Sequence, residues 1–242
     1  MAVGLFALVK YGKALLLLLP KAKVLTTAGS ALVSVAAYAL FWGWRFAAIF
    51  VVLIFIHEMG HVLQLRREGI KATAPMFIPF LGAVVGMKEL PPDAAAEARV
   101  GLAGPVLGAL GAAALLPVYW ATGSELWLNL AYVGFFLNLF NLLPVTPLDG
   151  GRAMSALAPW MWFAGLFVLV LLLFVAPNPI LLLIGLVAAF DVYRRWKGRN
   201  EPGAKAYYAV TRRQRALIGA TYLVLLVGLV AGMDLTYVER QL

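Results

Sequence analysis

Residues 46–65 read FAAIFVVLIFIHEMGHVLQL. The stretch is 20 residues long, and about 20 residues of helix cross the hydrocarbon core of a bilayer. Similar apolar runs fall at 26–43, 99–120, 126–147, 160–177, 179–193 and 215–232. Asp191 cuts the sixth of these short. The whole chain of 242 residues is 63% hydrophobic and 13% charged, with mean hydropathy +0.90. Soluble domains lie nearer half apolar and a quarter charged. This composition excludes a disordered chain, a coiled coil and a water-soluble fold. Runs of helix length, rather than short alternating segments, exclude a membrane barrel. The expected fold is all-α: a polytopic transmembrane bundle of about seven spans.

Charge orients the bundle. With seven spans, 18 of the 20 Lys and Arg residues fall on the side of the N-terminus, and Arg45 and Arg240 fall on the other. Without the sixth span the split is 10 to 10. Basic loops stay in the cytoplasm, so the N-terminus is expected inside and the C-terminus outside. The net charge of +9 is thereby assigned to topogenic loops and not to nucleic acid. All seven tryptophans lie near proposed span ends, as an interfacial belt requires. Residues 1–25 are expected to form a cytoplasmic or interfacial amphipathic segment, interrupted by Lys10 and Lys13 and lacking a signal-peptide cleavage pattern. The chemical core is placed at 26–196. Residues 197–214 form a basic cytoplasmic loop, and 215–242 an additional helix and tail. Arg212, Arg213 and Arg215 have two readings, contact with anionic lipid or ordinary topogenic charge.

Within the opening stretch lies His57-Glu58-Met59-Gly60-His61, or H-E-x-x-H. Residues four apart share a helical face, so His57 and His61 can offer nitrogens to one metal ion. Glu58 can serve as general base toward a water there. These are the only two histidines in the chain, and ionisable groups at membrane depth are costly and mark function. A catalytic zinc takes three protein ligands and keeps one position open. With no Cys, the third ligand must be a carboxylate. Asp149 is best placed, in Asn141-Leu142-Leu143-Pro144-Val145-Thr146-Pro147-Leu148-Asp149-Gly150-Gly151, where prolines and glycines break regular helix. Asp149 also reads as a helix cap paired with Arg152. Asp191 reads as a surface partner of Arg194 and Arg195.

These two motifs resemble those of the site-2 proteases, the intramembrane zinc metalloproteases. The similarity extends to Ala103-Gly104-Pro105 and covers roughly residues 45–155. It implies that His57, His61 and Asp149 bind one Zn2+ per chain and that Glu58 is the catalytic carboxylate. It also implies that Asn141 holds substrate or the oxyanion. Two features depart from the family pattern. Gly108 stands where an asparagine usually follows Ala-Gly-Pro, and no PDZ or CBS module is evident.

Residues 74–87 are apolar but too rich in Pro and Gly for a helix, and Lys71 and Lys88 hold both ends on one side. A re-entrant, β-like loop is expected there, with Phe77, Ile78, Phe80, Leu81, Gly82, Ala83 and Val84 binding an unwound substrate segment by strand addition. A surface loop without substrate contact is the competing reading. Four functions are compatible with these residues: an intramembrane endopeptidase, a catalytically silent relative that binds a membrane partner, a metal or proton transporter, and a structural metal site. The clustering of ionisable groups at one depth and the retention of Glu58 favour the endopeptidase. The expected partners are the bilayer and a single-pass transmembrane substrate. The expected location is a bacterial cytoplasmic membrane.

Overall fold

A computed structural model describes residues 25–238. The interfacial segment expected over residues 1–25 lies almost wholly outside the described residues, as does Arg240. Ten helices and one small hairpin make up the described chain. α1 covers Leu25–Trp42 and α2 Trp44–Arg67. A hairpin follows, with β1 Met76–Ile78 and β2 Gly82–Val84. Next come α3 Ala94–Ala113, α4 Leu115–Thr122 and α5 Glu125–Asn141. The chain continues through α6 Asp149–Leu157, α7 Met161–Val175 and α8 Pro179–Gly198, then α9 Ala204–Tyr207 and α10 Arg212–Thr236. The fold is all-α and of membrane type.

Four helical stretches are long and apolar enough to cross a bilayer: Leu25–Trp42, Trp44–Arg67, Ala94–Thr122 and Arg212–Thr236. The third counts α3 and α4 together. Their helical bonding is interrupted near Ala114, because Pro117 has no N–H to give the carbonyl four residues earlier. α5 stops at Asn141 rather than continuing to 147, since Pro144 and Pro147 follow. α8 begins with Pro179 at its first position, capped by Asn178 accepting from the Ile180 N–H.

α3 is the hub of the packing, touching α2, α5, α6 and α10. Small residues let α2 approach it closely: a Cβ on Gly60 would lie 2.1 Å from the Ala103 carbonyl oxygen. Large apolar side chains of α7, α8 and α10 such as Phe174, Leu186 and Val224 point outward, as a lipid-facing surface demands. Trp42, Trp44, Trp120, Trp160 and Trp196 are exposed, consistent with a belt, but Trp162 is not part of it. Trp162 is buried, and its indole N–H donates to the Gly151 carbonyl at 2.8 Å.

Residues 72–87 fold back as an antiparallel hairpin, with Met76 opposite Val84, Phe77 opposite Ala83 and Ile78 opposite Gly82. A bridge between Ala72 and Met87 closes its base. α1 holds its β1 side. Thr27 donates to the Pro75 carbonyl, Ser30 accepts from the Phe77 N–H at 3.1 Å, and Tyr38 accepts from the Phe80 N–H at 3.0 Å.

Candidate metal centre

His57 and His61 stand one turn apart on the buried face of α2. Asp149 is the first residue of α6, where a carboxylate is favoured by the helix dipole. The loop between α5 and α6 brings it there. Gly150 and Gly151 allow that loop to lie against the first turn of α6: a Cβ on Gly150 would fall 2.0 Å from the Leu142 carbonyl, and one on Gly151 2.2 Å from the Thr146 nitrogen. The double glycine after Asp149 is therefore a packing requirement.

The three ligand atoms form a near-equilateral triangle. His57 Nε2 and His61 Nε2 lie 3.1 and 3.2 Å from Asp149 Oδ2, and 3.2 Å from each other. All three residues are buried. Donors at about 2.0–2.2 Å from one tetrahedral ion stand roughly 3.3 Å apart, so the triangle fits such an ion.

The outer nitrogens of both rings are fixed. His61 Nδ1 lies 2.8 Å from the Val100 carbonyl, which can only accept. His57 Nδ1 lies 2.8 Å from Asn138 Oδ1, and Asn138 Nδ2 donates to the Gly134 carbonyl at 2.7 Å. The Asn138 amide is thus turned with its oxygen toward His57. Each imidazole thus has its Nδ1 turned to an acceptor, which leaves Nε2 as the nitrogen that faces Asp149 and the one available to a metal ion. With both Nε2 atoms deprotonated, as metal binding requires, these three donors at this spacing call for positive charge among them. One divalent cation relieves all three contacts at once.

α3 forms the back wall. A Cβ on Gly104 would lie 2.3 Å from His61 Nε2 and 2.8 Å from His57 Nε2. One on Gly108 would lie 2.1 Å from Asn138 Oδ1. The glycine at 108, a departure from the family pattern in the sequence, is what admits the Asn138 amide. Asn138 is a residue of the site that the sequence did not single out. Its signal was an amide inside an apolar helix, three residues before an asparagine that took the attention.

The remaining candidates fall around this triangle. Glu58 is buried beside His57 on α2. Asn141 is part-buried at the end of α5, its Nδ2 donating to the Leu137 carbonyl at 3.1 Å. Asp149 makes no ion pair with Arg152 among the described residues; its partners are the histidines. In the hairpin, Phe77 is buried against Phe55, whereas Leu81 and Val84 are exposed and Gly82 and Ala83 half-buried. Ile78 is half-buried and pairs with Gly82. Phe80 sits at the turn with φ 65°, packed edge-on against Tyr38 and Phe41.

A second buried polar cluster lies behind the Asp149 loop. Arg195 of α8 donates to Glu97 of α3 at 2.7 Å and to Asp191 at 2.8 Å, and stacks over Trp162. Tyr207 of α9 donates to Glu97 at 2.8 Å, and Thr146 to Asp191 at 2.5 Å. Asp191 does pair with Arg194 and Arg195, but half-buried within this network rather than on an open surface.

A sequence model of the family described as Peptidase family M50 matches residues 45–124 and 119–172, together more than half of the chain. A protein named zinc metalloprotease MJ0392, of Methanocaldococcus jannaschii, is 31% identical over 129 residues, covering 51% of this chain and 37% of that protein. Rip3 of Mycobacterium tuberculosis is 32% identical over 133 residues, covering 48% of this chain and 30% of its own length. The chain therefore matches only about a third of the length of these relatives. The matched residues contain both histidines, Asn138, Pro144, Pro147 and Asp149, and so the chain belongs to peptidase family M50, the site-2 protease family.

Proposed function

We propose that this protein is an intramembrane zinc endopeptidase that hydrolyses peptide bonds within transmembrane segments of other membrane proteins. The observation that carries the reading is the buried triangle of His57 Nε2, His61 Nε2 and Asp149 Oδ2. It offers three protein donors, the number a catalytic zinc takes. His57, His61 and Asp149 would hold a zinc ion, which would supply Lewis acidity toward a water and the scissile carbonyl. Glu58 then accepts the water's proton and delivers it to the departing amine nitrogen. Asn141 Nδ2 exchanges its Leu137 carbonyl for the developing oxyanion, a contact worth about 3 kcal/mol in favourable precedents. Burial of the site among α2, α3, α5 and α6 limits access of bulk water.

A helical substrate must unwind to expose a peptide bond, and the hairpin offers a template. The Phe77 N–H points away from β2, toward Ser30. In an antiparallel ladder its partner Ala83 then turns its own N–H and C=O out of the opposite side. The β2 edge at Gly82, Ala83 and Val84 is the docking edge, with Phe77, Ile78, Phe80 and Leu81 shaping the hairpin that presents it. Seven crossings, with α5, α7 and α8 joining the four longer stretches, place the basic loops and the N-terminus in the cytoplasm. Cleavage then occurs near the cytoplasmic leaflet, in a bacterial cytoplasmic membrane, on a single-pass substrate.

The test is trapping in the native host. Cells lacking the protein receive wild type or Glu58→Gln, and co-purifying membrane proteins are identified by mass spectrometry. A single-pass protein enriched on Glu58→Gln, and shortened only with wild type, is the expected result. Equal cleavage by Glu58→Gln with bound zinc overturns the role of Glu58; identical partners and no fragments in either strain overturn proteolysis.

A further inference from the structure

A furrow of about 410 Å³ runs between α2, α3 and α10, with Gly60 and Ala103 on its wall and none of His57, His61 or Asp149 among its lining residues. Its depth is apolar, formed by Leu63, Leu102, Val106, Leu107, Leu217 and Ile218. Leu63 and Leu217 are exposed at 43% and 60%, so the furrow opens sideways where a bilayer would lie. Its mouth is polar, with Arg67, Arg99 and Gln214 on the lining. That mouth sits where α2 ends and where α3 and α10 begin, a single level at one side of the bundle.

The mouth carries two arginines, Arg67 and Arg99, and one of them is paired. Glu68 takes Arg99, at 2.7 and 2.8 Å. Arg67, on the lining, and Arg213, next to Gln214 but outside the lining, are exposed and make no ion pair among the described residues. Arg213 stands one helical turn before Leu217 in the same row of α10. Gln214 is oriented by its cap: its Oε1 accepts from both the N–H and the hydroxyl of Thr211. The Gln214 Nε2 is left as a donor at the mouth. Apolar depth at hydrocarbon level beneath exposed cations at headgroup level is the complement of one kind of molecule.

We propose that this furrow binds one anionic phospholipid, with its phosphodiester at Arg67, Arg213 and Gln214 and an acyl chain along Leu63, Val106 and Leu217. The site needs only the membrane reading of the helices and is independent of the metal centre. The intact chain is reconstituted in nanodiscs of equal phosphatidylglycerol and phosphatidylcholine, released into detergent, and its retained lipid counted by native mass spectrometry. One phosphatidylglycerol per chain, well above phosphatidylcholine, is expected. Arg67→Gln and Arg213→Gln each lower its retention about fivefold. Val106→Trp fills the apolar part and removes it, while zinc content and melting temperature hold. Glu58→Gln retains it as wild type does, which separates this site from the proposed proteolysis. Equal retention of the two lipids, or arginine variants that behave as wild type, overturns the proposal. The chain has no cysteine, so Leu217→Cys is a unique probe; an efficient disulfide-linked dimer through it overturns the proposal in favour of a second copy in the furrow.

Discussion

Asn138 holds His57 from the side away from Asp149. Its oxygen accepts from His57 Nδ1, and its amide is held by the Gly134 carbonyl. Removing such an outer partner typically costs 10–100-fold in metal affinity. Asn138→Ala is therefore expected to weaken zinc binding by about 10–100-fold, read by competition with a chelating dye, while leaving the helices intact. Unchanged affinity would show that His61 and Asp149 suffice to orient the site. Gly104→Ala acts differently. Its Cβ would fall 2.3 Å from His61 Nε2, a separation that side chains do not tolerate. The variant should purify without stoichiometric zinc, measured by elemental analysis, even though every ligand is retained.

The hairpin and the α8–α9 region act as elements. Ala83→Pro deletes an N–H that points away from β1, so the hairpin survives and the docking edge loses a donor. Cleavage of a reconstituted substrate should fall, with zinc content unchanged. Equal cleavage would mean the β2 edge is not the substrate template. Arg195 of α8 ties in α3 through Glu97 and α6 through Ser155, and through Asp191 it reaches Thr146 of the Asp149 loop. Arg195→Met strands buried carboxylates and is expected to destabilise by about 3–5 kcal/mol, seen as a lower melting temperature in detergent. Tyr207 contributes a hydrogen bond from the loop side. Burial and the neighbouring Glu97 carboxylate raise its hydroxyl above the ordinary tyrosine range. A raised pKa means the stabilisation is fully present below about pH 10, the ordinary tyrosine value, and is lost only as pH climbs through the folded value. The melting-temperature gap between wild type and Tyr207→Phe should thus stay constant from neutral pH to about pH 10. A gap that closes between pH 6 and 8 would show that this bond is not its source.

At the scale of the molecule, the metal triangle joins distant parts of the chain. α2 supplies two ligands and α6 the third, so an ion bound there ties the two segments. Zinc at 100 times its dissociation constant adds about 2.7 kcal/mol to a state that alone binds it. A chelator should lower the melting temperature of wild type, and added zinc should restore it. His57→Ala should melt at the chelated temperature with or without zinc. A wild-type melting temperature indifferent to chelation would argue that the triangle holds no ion in the purified protein.

Much of this was legible in the sequence because it was local. An H-E-x-x-H on an apolar run needs only helical periodicity to bring His57 and His61 onto one face. Pro144, Pro147 and the Asp149-Gly150-Gly151 run announced a broken backbone, and lack of cysteine left a carboxylate as third ligand. Four apolar stretches long enough to cross a bilayer and a non-helical stretch at 74–87 follow from hydropathy and backbone chemistry, which each residue carries wherever it sits. The tertiary structure decided what depends on close approach between segments far apart in the chain. It set Asn138 and the Val100 carbonyl behind the two histidines, made Gly104 and Gly108 the wall that admits them, turned Trp162 inward, and gathered Asp191 into a buried network. It also distinguished the two sides of the hairpin, since only α1 could take one of them. Such contacts arise from packing geometry across more than a hundred residues, and periodicity within one helix carries no trace of its neighbour.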